Sequence, residues 1–136
     1  AATSPCGTML IALDRSSGTP VFRQICEQVR FQVAAGVLPP GSEIPSTRDL
    51  AAELGINPMT ISKAYALLEQ QGVLERRPGL SLVVRRQSDS SRLESRREEL
   101  TRLLQPAAVA ARQLGIAEEE AVEIYRAALR APGEER

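Results

Sequence analysis

The 136 residues contain no histidine and only two cysteines, Cys6 and Cys26. The first absence removes the commonest general base and the commonest metal ligand together. The cysteines show neither metal-ligand spacing nor a disulfide framework. Cys26 falls on the apolar side of a predicted helix and reads as a buried, inert thiol. No apolar run approaches the roughly 20 residues needed to cross a bilayer, and no signal peptide is legible, so a cytoplasmic protein without a membrane partner is expected. A nucleophile elbow and a phosphate-cradling glycine loop are also missing. That inventory argues against an enzyme and against any cofactor.

Net charge is absent as well, with seventeen basic residues against seventeen acidic ones. The balance is uneven along the chain. Residues 12–86 carry nine Arg/Lys against seven Asp/Glu, whereas residues 87–136 carry eight against ten. Between Arg76 and Arg97, seven arginines face only Asp89 and Glu94. Local clusters, not totals, steer a polyanionic ligand. Lys63 is the only lysine.

What is present is one core's worth of apolar residues, at 43% of the chain, enough for one domain plus a smaller helical appendage. Residues 1–10 mix small and polar types without periodicity and are expected to be a disordered leader. Thr19-Pro20 supplies an N-cap and a proline at the first helical position. Val21, Ile25, Val29 and Val33 then recur every four residues, with Phe22 and Cys26 beside them, up to a terminating Gly36. Pro39 and Pro40 force a loop or a short extended piece.

The most informative stretch follows. Ser46 can cap a short helix that carries Leu50, Ala51 and Leu54 inward, and Gly55 can end it in the left-handed conformation. Asn57 can cap the next helix, with Pro58 at its first position and Ile61, Ala64, Tyr65 and Leu68 on its buried face. Met59, Thr60, Ser62, Lys63 and Ala66 are left outward near its start, the end that a helix-turn-helix pushes into the major groove. Gly72 closes this helix. Residues 73–77 and 81–85 then read as two short strands around Pro78-Gly79, a basic hairpin suited to act as a wing.

Beyond residues 87–91, whose Ser, Asp and Gln read as a linker or a helix start, Leu93, Leu100, Leu104, Ala107, Ala111 and Leu114 mark one stripe of a long helix, which Pro106 should kink. Gly115 closes it. A last helix opens on Glu118, Glu119 and Glu120 and turns Ala121, Val122, Tyr125 and Leu129 to one side. Two such helices are too small to enclose their own stripes, which need a partner chain or the winged domain itself as a cover, so Leu93, Leu100, Leu104, Ala107, Ala111, Leu114, Val122, Tyr125 and Leu129 are candidate dimer contacts.

The fold class expected is therefore mainly α with a small β-hairpin. A winged helix-turn-helix spans 11–86, a linker 87–91, a helical dimerisation unit 92–131 and a loose tail 132–136. Double-stranded DNA is the expected partner, read by the third helix and held through phosphates. A protein-interaction module whose basic hairpin docks an acidic partner is the competing class. For switching, a small apolar or amphipathic effector bound near Pro106 stands beside control by abundance alone.

Several segments carry a family resemblance over residues 11–130. They are Gly18-Thr-Pro-Val-Phe-Arg-Gln-Ile25, Leu38-Pro-Pro-Gly41, Pro45-Ser-Thr-Arg-Asp-Leu-Ala51, Leu54-Gly-Ile-Asn-Pro58, Thr60-Ile-Ser-Lys-Ala-Tyr65, Leu68-Glu-Gln-Gln-Gly72 and Leu114-Gly-Ile-Ala-Glu-Glu119. The chain resembles the GntR family of bacterial transcription regulators, in its small YtrA-type subfamily. The resemblance implies a homodimeric repressor on an inverted-repeat operator, with a two-helix dimerisation unit in place of a large ligand-binding domain. It places Ser46, Thr47 and Arg48, with Asn57, Pro58, Met59, Thr60, Ser62 and Lys63, at the DNA surface, and Arg77, Pro78 and Gly79 in the wing. The chain departs from the family at Met59, where a polar residue is usual, and at Leu80-Ser81-Leu82. Many relatives also have arginine where Pro58 and Ser62 stand.

Overall fold

The computed structural model describes residues 9–79 and 82–131. Its elements run α1 (Val21–Ala35), α2 (Thr47–Leu54), α3 (Pro58–Gln70), β1 (Leu74–Arg76), β2 (Leu82–Val84), α4 (Asp89–Gln113) and α5 (Glu118–Arg130). The protein is mainly helical with a two-stranded antiparallel sheet. Two compact units meet in sequence at Glu99 and Leu100.

In the first unit, α1 and α2 both pack on α3. Ile25 and Val29 of α1, Leu50 of α2, and Ile61 and Leu68 of α3 are sealed from solvent, as their spacing requires. Cys26 lies in the same core, where its thiol donates to the Ala64 carbonyl oxygen at 3.3 Å. The hairpin pairs Leu74 with Val84 and Arg76 with Leu82. Residues 41–44 run along the other edge of β2, where Ile44 N–H donates to the Leu82 carbonyl at 3.0 Å and Val84 N–H to the Ser42 carbonyl at 2.9 Å. With both edges covered, Leu82, Val83 and Val84 are all buried.

Three local features differ from the sequence expectation. Thr19 does not cap α1; the cap position falls on Pro20, without a side-chain bond. The Pro20 carbonyl accepts from Arg23 and Gln24 N–H at 3.0 and 3.1 Å, and Gln24, a buried amide, holds the preceding segment by donating to the Thr19 and Asp14 carbonyls at 2.9 and 3.0 Å and accepting from Asp14 N–H at 2.8 Å. A glutamine among apolar neighbours gave no sign of this. Second, Met9 is buried in the core and the Leu10 carbonyl accepts from Gln32 at 2.6 Å, so the end of the expected leader is packed; residues 1–8 lie outside the described residues. Third, of the two readings open for residues 87–91, α4 takes the helix start over the linker: it begins at Asp89, because the Ser88 hydroxyl accepts from Ser91 N–H at 3.1 Å and so acts as a cap.

The second unit holds the remainder of α4, which continues through Pro106, and α5. Gly115 ends α4 with φ 72°. Among its described residues none is buried.

Candidate nucleic-acid interface

The surface is assembled from three pieces: the start of α2, the outer face of α3 and the hairpin. Ser46 accepts from Asp49 N–H at 3.0 Å, which fixes the first turn of α2. Thr47 is half-buried, while Arg48 points to solvent and has no carboxylate partner among the described residues. Gly55, at φ 70°, makes the left-handed step that turns the chain towards α3, a conformation an L side chain resists.

Asn57 accepts from Met59 N–H at 2.8 Å with Pro58 at the first helical position, so the exposed end of α3 is built as its sequence reads. Ile61, Ala64, Tyr65 and Leu68 face inward. Thr60 is half-buried; Pro58, Ser62 and Lys63 are exposed, and Met59 is 71% exposed. The Tyr65 hydroxyl donates to the Pro45 carbonyl at 2.8 Å, which locks α3 to the entry of α2.

These pieces enclose a groove of about 320 Å³ between Pro45, Ser46 and Thr47 on one side and Ser62, Ala66 and Glu69 on the other, closed by Arg76 and Leu82. Ser46, Thr47 and Ser62 are thus brought together. Asn57, Pro58, Met59 and Thr60 form the leading end of α3, Lys63 lies over the Phe22 ring of α1, and Arg77, Pro78 and Gly79 form the hairpin end. Gly79 has φ 78°, the turn conformation that glycine adopts without strain. Two acidic residues in this region were not singled out from sequence. Glu69 pairs with Arg76 at 3.5 Å, and Glu75 with Arg77 at 3.0 Å. Glu69 follows Ser62 and Ala66 on one helical stripe, a signal that spacing could have given. Exposed pairs of this kind are worth at most about 1 kcal/mol, so a phosphate can displace either carboxylate.

In the second unit, Leu104, Ala107, Ala111 and Leu114 of the α4 end face Val122 and Tyr125 of α5 around an apolar groove of about 560 Å³. Leu100 and Leu129 are exposed and do not line it; Leu93 belongs to the first unit. Ile116 and Ile124, not picked out from the leucine spacing, do line it.

Residues 22–84, from Phe22 to the end of the hairpin, match the family model described as bacterial regulatory proteins, gntR family. A relative in Bacillus subtilis, the HTH-type transcriptional repressor YtrA, is 32% identical over 99 residues, covering 70% of this chain and 76% of that protein. The chain belongs to the GntR family. It is a DNA-binding transcriptional regulator of the YtrA type, not an enzyme. Among solved structures, the GntR-family transcription factor YtrA from Sulfolobus acidocaldarius is similar to this GntR protein, with 35% identity, a TM-score of 0.54, and coverage of 69% of this chain and 96% of that one. A transcriptional antiterminator from Listeria monocytogenes EGD-e superposes with a TM-score of 0.67 at 28% identity, covering 91% and 92% of the two chains. Among the described residues no helix is long and apolar enough to cross a membrane.

Proposed function

We propose that this GntR regulator is a homodimeric repressor that reads an inverted-repeat operator in the cytoplasm. The observation that carries the reading is the leading end of α3, where Met59 and Ser62 are exposed, Thr60 is half-exposed, and Ser62 shares a groove with Ser46 and Thr47 of the α2 entry and Arg76 of the hairpin. Those side chains are of the size and chemistry that meet base edges in a major groove. Asn57, Pro58 and Lys63 flank them, Ser46 and Thr47 line the groove, and in this reading Arg77, Pro78 and Gly79 follow the backbone or the minor groove. That a similar Bacillus subtilis protein is a transcriptional repressor supports repression here.

The dimer reading rests on the second unit. Leu104, Val122 and Tyr125 line an open apolar groove, and Leu100, Leu114 and Leu129 stay exposed nearby. Contiguous apolar surface on so small a helical unit calls for a cover, and a second copy supplies one with matching stripes. Ala107 and Ala111 line the same groove, and Leu93, exposed on the part of α4 that belongs to the first unit, is a separate candidate contact within 92–131. A two-fold dimer sets two recognition helices one helical turn apart, about 34 Å, or a multiple of it.

Light scattering and fluorescence anisotropy test both parts. Leu104→Asp is expected to give a folded monomer that binds a palindromic duplex, selected by the wild type from a random library, at least about a hundredfold more weakly, because the second head loses its tether. A wild-type monomer at micromolar concentration contradicts the dimer. A footprint that is no tighter on any palindrome than on random duplex contradicts the operator.

A further inference from the structure

The Phe22 ring lies at the start of α1, packed against the edge of the core. Two cations converge on it. Lys63 Nζ, from the outer face of α3, lies 4.2 Å from the ring centre, and the guanidinium carbon of the adjacent Arg23 lies 5.6 Å from it. Both side chains are exposed, and neither has a carboxylate partner among the described residues. Like charges drawn to one ring repel each other, so the arrangement is most stable when an anion shares them. The hairpin arginines differ in this respect, since Arg76 and Arg77 are already paired with Glu69 and Glu75, whereas Arg48 is unpaired among the described residues but has no second cation gathered beside it on a ring.

We propose that Arg23 and Lys63, gathered about Phe22, form a binding site for one backbone phosphate of the duplex. The contact would extend the DNA interface from α3 and the hairpin onto α1. Lys63 directly follows Ser62 in α3 and so points about 100° around the helix from the groove that Ser62 lines. It is therefore directed at the strand flanking the bases that α3 reads. The ring acts as a positioning element, since it restricts a flexible ammonium before DNA arrives. This inference rests on the reading of α3 as the recognition helix.

The test is anisotropy of the full chain on a mixed-sequence duplex over a KCl series, with thermal midpoints followed by circular dichroism. Arg23→Gln and Lys63→Gln are each expected to reduce the slope of log affinity against log salt, by about 0.9 for the double variant as one phosphate requires, and to weaken binding on every sequence alike. Phe22→Leu keeps an apolar side chain; it is expected to weaken binding about two- to fivefold and to make a further Lys63→Gln nearly silent. A purely structural phenylalanine would lower the thermal midpoint and leave both the salt slope and the Lys63→Gln effect intact, which overturns the positioning role. Unchanged slopes in Arg23→Gln and Lys63→Gln overturn the phosphate site while the regulator reading stands. Failure of the wild type to bind any duplex overturns the regulator reading itself. Inorganic phosphate titrated in place of DNA separates the remaining source, because Lys63-dependent saturation below millimolar phosphate assigns the site to the free anion and overturns the backbone contact.

Discussion

Arg30 of α1 and Glu99 of α4 face one another with Nε 3.5 Å from Oε2, and their side chains are only 17% and 12% exposed. The Arg30 guanidinium also donates to Gln71, just past α3, at 3.1 Å. At 3.5 Å the contact is chiefly coulombic, and its enclosure spares it most of the screening that empties surface pairs of energy. It ties the first part of α4 to α1 and to the end of α3. Glu99→Gln removes the charge and keeps the shape. It is expected to cost about 2 kcal/mol, between the values for exposed and fully buried pairs, as read by urea denaturation.

Met59 offers a thioether, 71% exposed at the tip of α3. An apolar group in the major groove finds its complement in the thymine methyl. Met59→Ala is therefore expected to leave folding intact and to flatten a thymine preference at one position of each half-site by about 1 kcal/mol, read by selection from random duplexes. An unchanged base preference contradicts this assignment.

Asn57 has a structural duty as well as a candidate binding one, since its side-chain oxygen caps α3 at 2.8 Å from Met59 N–H. Asn57→Ala should cost about 1 kcal/mol of stability, whereas Asn57→Ser should restore most of it. If Asn57→Ser folds like the wild type yet binds DNA less tightly, the amide nitrogen touches DNA. Equal affinity confines the residue to its cap.

Burial pushes the Cys26 thiol up from its ordinary value, against the opposing pull of Arg30 and Arg23. The folded state then keeps the proton at pH values where the unfolded chain releases it. Stability from this group is complete below the unfolded thiol's value and is lost as pH rises through the folded one. Wild-type protein should lose more stability than Cys26→Ala between neutral and alkaline pH, compared by urea titration at each. The thiol should also react with an aromatic disulfide reagent only on unfolding.

Much of this was legible before any coordinates. Ser46, Asn57 and Gly55 are residues whose local chemistry dictates a cap or a left-handed turn, and Ile61, Ala64, Tyr65 and Leu68 repeat at helical spacing, so α2, the turn and α3 follow from sequence alone. What escaped were long-range polar bonds. Nothing about Gln24 announces a bridge to Asp14, and nothing about residues 41–44 announces that they cover β2, because each depends on a partner that only tertiary packing brings near. The Phe22–Lys63 contact is of the same kind, joining residues far apart in the chain. Met9 was hidden by the small and polar residues that precede it.

The most direct measurement is selection of duplexes from a random library by the 136-residue chain, followed by sedimentation of the protein with the enriched duplex. The expected result is an enriched inverted repeat, with half-sites one helical turn or a multiple apart, bound by two protomers. Enrichment of a single unrepeated motif held by one protomer, or no enrichment above the starting library, would contradict a paired reader of DNA.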